Sequence, residues 1–246
     1  MLKSITEHTS EKKWMYTPKE GEQFFFMHIP KTGGTTFRKM LTNHFPEGSY
    51  YPNEEDLTAN GGKYLSQKVF VNKNNITLTK PLVIGHYDFN LIKHLNPDVK
   101  VLVFFRNPID RILSHVRHIL EHDPEWKDCD PNVLIENRIN SLRLIQSKFM
   151  GLEKKNFSAV IKNLREIEFI GILEYFNESV ALYNKMFNQQ LELISPKNTS
   201  NKILDNISPK TMSLLTRSTI AEARTYNRAF EHFKKRCKMN KISLSK

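Results

Sequence analysis

Cysteine is almost missing from this chain. Only Cys129 and Cys237 occur in 246 residues. That number and separation exclude a disulfide framework and a zinc-ligand spacing, and leave two ordinary thiols. Long apolar runs are missing too. None is long enough to cross a bilayer, and residues 1–22 are polar, without the apolar stretch of a signal peptide. Both common nucleotide fingerprints are absent: no G-x-x-x-x-G-K-[ST] string occurs, and no G-x-G-x-x-G. An ordinary nucleoside-triphosphate hydrolase and a dinucleotide-binding Rossmann unit are thereby disfavoured. Acidic residues are scarce against basic ones, 26 against 37, so the formal net charge is +11. Such an excess points to an anionic partner without saying which one.

A hydrophobic content of 39% and an aromatic content of 11% describe a globular chain. Its length suits one α/β domain, expected over residues 23–246 behind a polar extension, 1–22. Strands are expected over Gln23–His28, Pro81–Gly85, Val99–Phe105, Glu168–Leu173 and Leu191–Ser195. Helices are expected over Phe37–His44, from Pro108 along the stripe Ile109, Ile112, Leu113, Val116, Ile119 and Leu120, and over Pro131–Met150, Phe157–Leu164 and Phe176–Phe187. Two more helices close the chain, Ser208–Thr216 and Thr219–Arg236. Pro46–Lys80 reads as irregular, a functional excursion or small insert. Strands alternating with helices argue a parallel sheet wrapped by helices.

Two segments carry chemistry. The first is Pro30-Lys31-Thr32-Gly33-Gly34-Thr35-Thr36, set between a strand and a helix. Such a turn leaves backbone N–H groups at a helix N-terminus, where the dipole favours an anion. Lys31 adds a positive charge, and Thr35 and Thr36 add hydroxyl donors. The second is Arg106-Asn107-Pro108, at the end of the most apolar strand, with Ser114 in the helix that follows. An arginine there faces the crevice in which open α/β sheets bind ligands, and its fork can grip a phosphate bidentately. Two grips in one crevice imply a ligand with phosphates at both ends.

These strings, with His28-Ile29 before the first, Gly85-His86, Phe104-Phe105 before Arg106, and Arg111, resemble the sulfotransferase superfamily, most closely its heparan sulfate 2-O- and 6-O-sulfotransferase branch. Weaker matches continue at Leu144-Ile145-Gln146, Ile170 to Glu174 and Asn198-Thr199-Ser200. The resemblance implies a P-loop-like three-layer α/β fold. It implies a donor, 3′-phosphoadenosine-5′-phosphosulfate (PAPS), that leaves as adenosine 3′,5′-bisphosphate (PAP), and a carbohydrate acceptor. It implies that Lys31, Thr32, Gly33, Gly34, Thr35 and Thr36 hold the 5′-phosphosulfate, that Arg106 and Ser114 hold the 3′-phosphate, and that Thr199 and Lys202 belong to a loop closing over the nucleotide. Lys31 would neutralise the breaking bridge and His86 would be the general base. The chemistry asks for those types: in-line transfer is dominated by positioning and charge stabilisation, and a hydroxyl needs a base near neutral pH. No metal is expected.

Alternatives stand beside these roles. His86 could be a packing histidine. Asp88 could orient it, replace it as base or be solvated, and Glu174 is a further base candidate. His115, His118 and His122 share one helical face with Arg111, a polar face rather than a metal stripe. The basic C-terminus reads as a solvated helix end, with no aromatic interleaving for nucleic acid. A nucleotide kinase or NTPase-like enzyme and a non-catalytic nucleotide binder are the competing functions. Without a membrane span or leader, the chain is either a free bacterial-type enzyme or a trimmed catalytic domain; Met1 favours the former, and a cytoplasmic location is expected.

Overall fold

The computed structural model describes residues 16–72, 80–153, 156–194 and 207–245. Five strands form one all-parallel sheet: β1 (Phe24–Met27), β2 (Tyr50–Tyr51), β3 (Leu82–Gly85), β4 (Lys100–Phe105) and β5 (Phe169–Ile172), in the order β2-β3-β1-β4-β5. The register pairs Phe26 with Ile84 on one side and with Leu102 on the other. The four longer strands are almost wholly buried, as continuous apolar runs in a sheet covered on both faces should be. Phe37 shows how one face is covered. It projects from helix α1 (Gly34–His44) onto Phe26, Phe104 and Phe169, and meets Tyr183 of α8 (Phe176–Phe187), with ring centroids 4.8–5.9 Å apart. The fold is the expected α/β arrangement, a parallel sheet flanked by helices.

The strand order places a switch point at β1. The chain leaves β1 toward β2 and β3 on one side and later crosses to β4 on the other. In open α/β sheets the crevice at that point, beyond the carboxyl ends of the strands, is where ligands bind. The turn after β1 and the end of β4 both open there.

Four expectations need correction. Leu191–Ser195 is not a strand over its described part, 191–194. The Leu191 N–H donates 2.8 Å to the Asn184 carboxamide oxygen, and the Asn184 amide donates 3.3 Å to the Leu191 carbonyl. A side chain thus takes the place of a neighbouring strand. Pro131–Met150 is two helices, α5 (Pro131–Leu142) and α6 (Ile145–Phe149), broken at Leu144, which adopts φ 63°. The last two helices are one, α9 (Pro209–Met239), of 31 residues. Pro46–Lys80 contains β2 and the helices α2 (Glu54–Ala59) and α3 (Gln67–Asn72). Helix α4 (Pro108–His122) begins as read: the Asn107 side chain accepts from Ile109 and Asp110, and Pro108 occupies the first turn. Its apolar stripe packs with α5 and Leu215 of α9 in a second core. Helix α7 (Phe157–Arg165) precedes β5.

Candidate active site

The Lys31 turn is built for an anion by what it omits. Helix α1 has glycine at its N-cap, no side-chain cap and no acidic residue in its first turn. Its first N–H groups are therefore left for a ligand. Lys31 and Gly33 both take left-handed conformations, φ 68° and 85°, and that pair of reversals curls the turn around the helix end. Gly34 is required for a different reason. A Cβ there would drive into the His28 ring, meeting Cδ2 and Nε2 inside van der Waals contact with Cγ at 3.0 Å. Helix α1 and the ring behind it can approach this closely only through glycine. Thr32 turns inward: it is buried, and its hydroxyl donates 2.9 Å to the Ile29 carbonyl. Its side chain shapes the turn, while Thr35 stands exposed and Thr36 half-buried.

Arg106 reaches this turn directly. Its Nη1 donates 3.3 Å to the Lys31 carbonyl, so the two segments singled out in the sequence are joined across 75 residues. Ser114 lies in the second turn of α4, almost fully buried. Lys31 is held below its ordinary pKa, first by burial and then by the charges of Arg117 and Arg106, with Glu121 opposing. The polar face of α4 thus borders the turn. His115 on that face is pushed down to about 4 by burial, Arg111 and Lys31, and is neutral at pH 7. The His118 and His122 rings lie 4.3 Å apart. Among the described residues no group of histidine, cysteine and acidic side chains is arranged to hold a metal. Lys31, Arg106 and Arg117 outnumber Glu121 there and give the crevice a positive field suited to a multiply charged anion.

His86 follows β3, across the crevice mouth. Its Nδ1 lies 2.7 Å from the His28 carbonyl oxygen. A carbonyl can only accept, so Nδ1 carries the proton and Nε2 keeps its lone pair. Crowding by protein atoms lowers the His86 pKa below its ordinary value; the His28 carbonyl opposes this, and the charge of Arg38 adds to it. The ring stands 4.5 Å from the buried His28 ring and 5.8 Å from Tyr64, whose other neighbour is the Arg38 guanidinium at 5.1 Å. His28 is driven down to about 3, by burial first and then by His86, Arg38 and Lys31. It is a neutral platform under the site.

Asp88 does not face His86 through any hydrogen bond. It caps the short 3-10 turn at Phe89–His94 and is engaged by Gln67, with Nε2 donating 2.9 Å to its carboxylate. Glu174 accepts from the Asn107 N–H at 2.7 Å and from the Tyr226 hydroxyl at 3.2 Å. Thr199 and Lys202 lie outside the described residues.

A profile of the sulfotransferase family matches residues 14–235. The chain belongs to the sulfotransferase family. Membership makes it a transferase of sulfuryl groups, and the fold agrees with that of the family. A search of curated proteins returns no match to it. Within this sulfotransferase, sequence reasoning passed over the roles of His28, Arg38, Tyr64, Arg117 and Gln146. His28 and Gln146 lay inside quoted motifs, but only the folded chain gives them partners.

Proposed function

We propose that this sulfotransferase moves the sulfuryl group of PAPS to a hydroxyl of a carbohydrate, with His86 as general base. The observation that carries the reading is the junction of an uncapped, acid-free helix N-terminus with the Arg106 fork, 3.3 Å from the Lys31 carbonyl. A donor with a phosphosulfate at one end and a 3′-phosphate at the other fits two such grips set side by side. Lys31, Gly33, Gly34, Thr35 and Thr36 would hold the first, with Thr32 acting through its backbone. Arg106 and Ser114 would hold the second.

The acceptor oxygen attacks sulfur in line while the bond from sulfur to the bridging oxygen breaks. The electron pair of that bond goes to the 5′-phosphate oxygen, giving PAP, and Lys31 stabilises the charge that develops there. The acceptor proton passes to His86 Nε2, the nitrogen left open by the Nδ1 bond to His28. A carbohydrate acceptor is supported by the likeness of the motifs to the heparan sulfate branch and by the half-buried Tyr64 beside His86, an aromatic wall for a sugar ring.

The test is transfer of radiolabelled sulfate from PAPS to a panel of sugars, with Lys31→Ala and His86→Ala beside the wild type. Both variants should lose about 10²-fold or more in kcat. Wild-type activity in both would sink the mechanism. Thermal stabilisation by PAP but not by ATP is expected, and the reverse would favour a kinase-like enzyme.

A further inference from the structure

The backbone at Arg106 and Asn107 has just left the sheet. The last rung of the ladder pairs Phe105 with Ile172, and the next two N–H groups need partners from elsewhere. Both find side chains. Gln146, fully buried at the start of α6, accepts from the Arg106 N–H at 2.9 Å and donates to the Arg106 carbonyl at 2.9 Å. Its carboxamide supplies one more rung where the neighbouring strand has ended. Glu174 takes the Asn107 N–H at 2.7 Å.

Each of these two residues is in turn held by α9, Gln146 through its backbone and Glu174 through its side chain. Glu222, buried, accepts from the Gln146 N–H at 2.8 Å, and the Tyr226 hydroxyl donates 3.2 Å to Glu174. Glu222 and Tyr226 are four residues apart, hence neighbours on one helical face. Arg111, also buried, sits 3.9 Å from Glu222 as its counter-charge and donates to the Leu142 carbonyl through Nη2. The left-handed Leu144, a conformation that a non-glycine residue adopts at a cost of about 1 kcal/mol or more, turns the chain so that Gln146 enters this network.

We infer that Gln146 is a positioning residue for the arginine fork: together with Glu174 it carries the hold of α9, through Glu222 and Tyr226, to the backbone of Arg106 and Asn107, and so sets the affinity for a 3′-phosphate. The inference rests on the reading of Arg106 as the 3′-phosphate grip. The guanidinium is then specified from both ends, by the clamped backbone behind it and by the Lys31 carbonyl in front. A fork held within a narrow range of angles binds a phosphate bidentately; a loosened one offers single, shifting contacts.

The discriminating quantity is a ratio, the affinity for PAP divided by that for adenosine 5′-monophosphate, measured by calorimetry. It isolates the 3′-phosphate. The wild type should prefer PAP strongly. Gln146→Leu, close to isosteric, should lower the preference about tenfold, as the loss of hydrogen bonds that place a charged group implies, while 5′-monophosphate affinity stays within twofold. Tyr226→Phe, a milder change that keeps the ring packing, should lower it about threefold. It keeps the test alive if Gln146→Leu does not fold. An unchanged ratio in folded variants overturns the relay, as does an equal loss for both nucleotides, which would mean general damage. A wild-type ratio near one would show instead that Arg106 does not grip a 3′-phosphate, and the relay would fall with that reading.

Discussion

Gly34→Ala is the substitution in which local and tertiary effects compete most openly. Gly34 opens α1 with ordinary helical geometry, so alanine brings no backbone strain and should gain up to about 1 kcal/mol in helix propensity. Against that stands the His28 ring, which the new methyl group would meet with Cγ at 3.0 Å and two ring atoms nearer still. Carbon contacts settle at about 3.5–4.0 Å, so at the nearest ring carbon, Cδ2, ring and helix must separate by about 1.5–2 Å. The ring has little room, because Phe26 stacks on it at 5.6 Å and the His86 ring is 4.5 Å away. Overpacking of this kind costs about 1–3 kcal/mol, which less the propensity gain leaves a net loss of about 0–2 kcal/mol, a fall in Tm of up to about 8 °C. Activity should suffer more. The same movement displaces the helix N-terminus and the His28 carbonyl that holds His86, and a misplacement of about 1 Å can cost about 10²-fold in rate. The assay is kcat for sulfate transfer beside a thermal melt. A kcat within threefold of wild type would refute the reasoning, because it would show that neither the turn nor His86 depends on this close approach.

The remaining predictions concern protons and thiols. Since His86 must be neutral to act and its pKa lies below the ordinary 6.5, activity should be lost only as pH falls below that value, and Arg38→Ala should move this limb of the kcat/KM profile to higher pH. A limb that stays in place would remove Arg38 from the account. His28, at about 3, is also depressed relative to the unfolded chain, so the unfolded state binds more protons below pH 6.5 and stability falls with pH there. Between pH 6.5 and 4.5 this amounts to about 2 kcal/mol for His28. Urea unfolding should show a flatter pH dependence in His28→Phe, and equal steepness would refute the assignment. Cys237 is buried with its thiol pushed up to about 11, whereas Cys129 is half-exposed; a thiol reagent should titrate one group rapidly in the native protein and the second only on unfolding.

What could be read from the sequence follows a physical division. Strands β1, β3, β4 and β5 are continuous apolar runs, and burial on both faces writes itself into composition. Helix α4 is flanked by Asn107 and Pro108, cap signals that act locally. The failures are places where tertiary partners overrule local preference. Helix α9 runs through Thr216-Arg217-Ser218-Thr219, a weak helical stretch read as a break. Thr219 is buried there and its hydroxyl returns to the Leu215 carbonyl at 2.9 Å. Leu144 breaks a helix without glycine or proline to announce it. The turn and the arginine were legible because a strand-turn-helix with a displaced lysine has few other uses. The Gln146 and Glu222 contacts were not, since each joins residues 40 or 76 positions apart that no spacing rule connects.

Helix α9 also bears on the order in which this protein is assembled. The Lys31 turn, α1 and the first sheet strands can pair early, as synthesis proceeds from the N-terminus. Arg106 and Asn107 cannot be fully anchored until Glu222 and Tyr226 have emerged, and at 1.5 Å per residue α9 is about 46 Å of helix laid across both hydrophobic cores. A nascent chain therefore carries its anion-binding turn long before it carries the groups that steady the neighbouring arginine. Contacts of such long sequence separation form slowly. A ribosome stalled short of residue 222 would display a basic, half-made crevice that attracts anions without the means to place them.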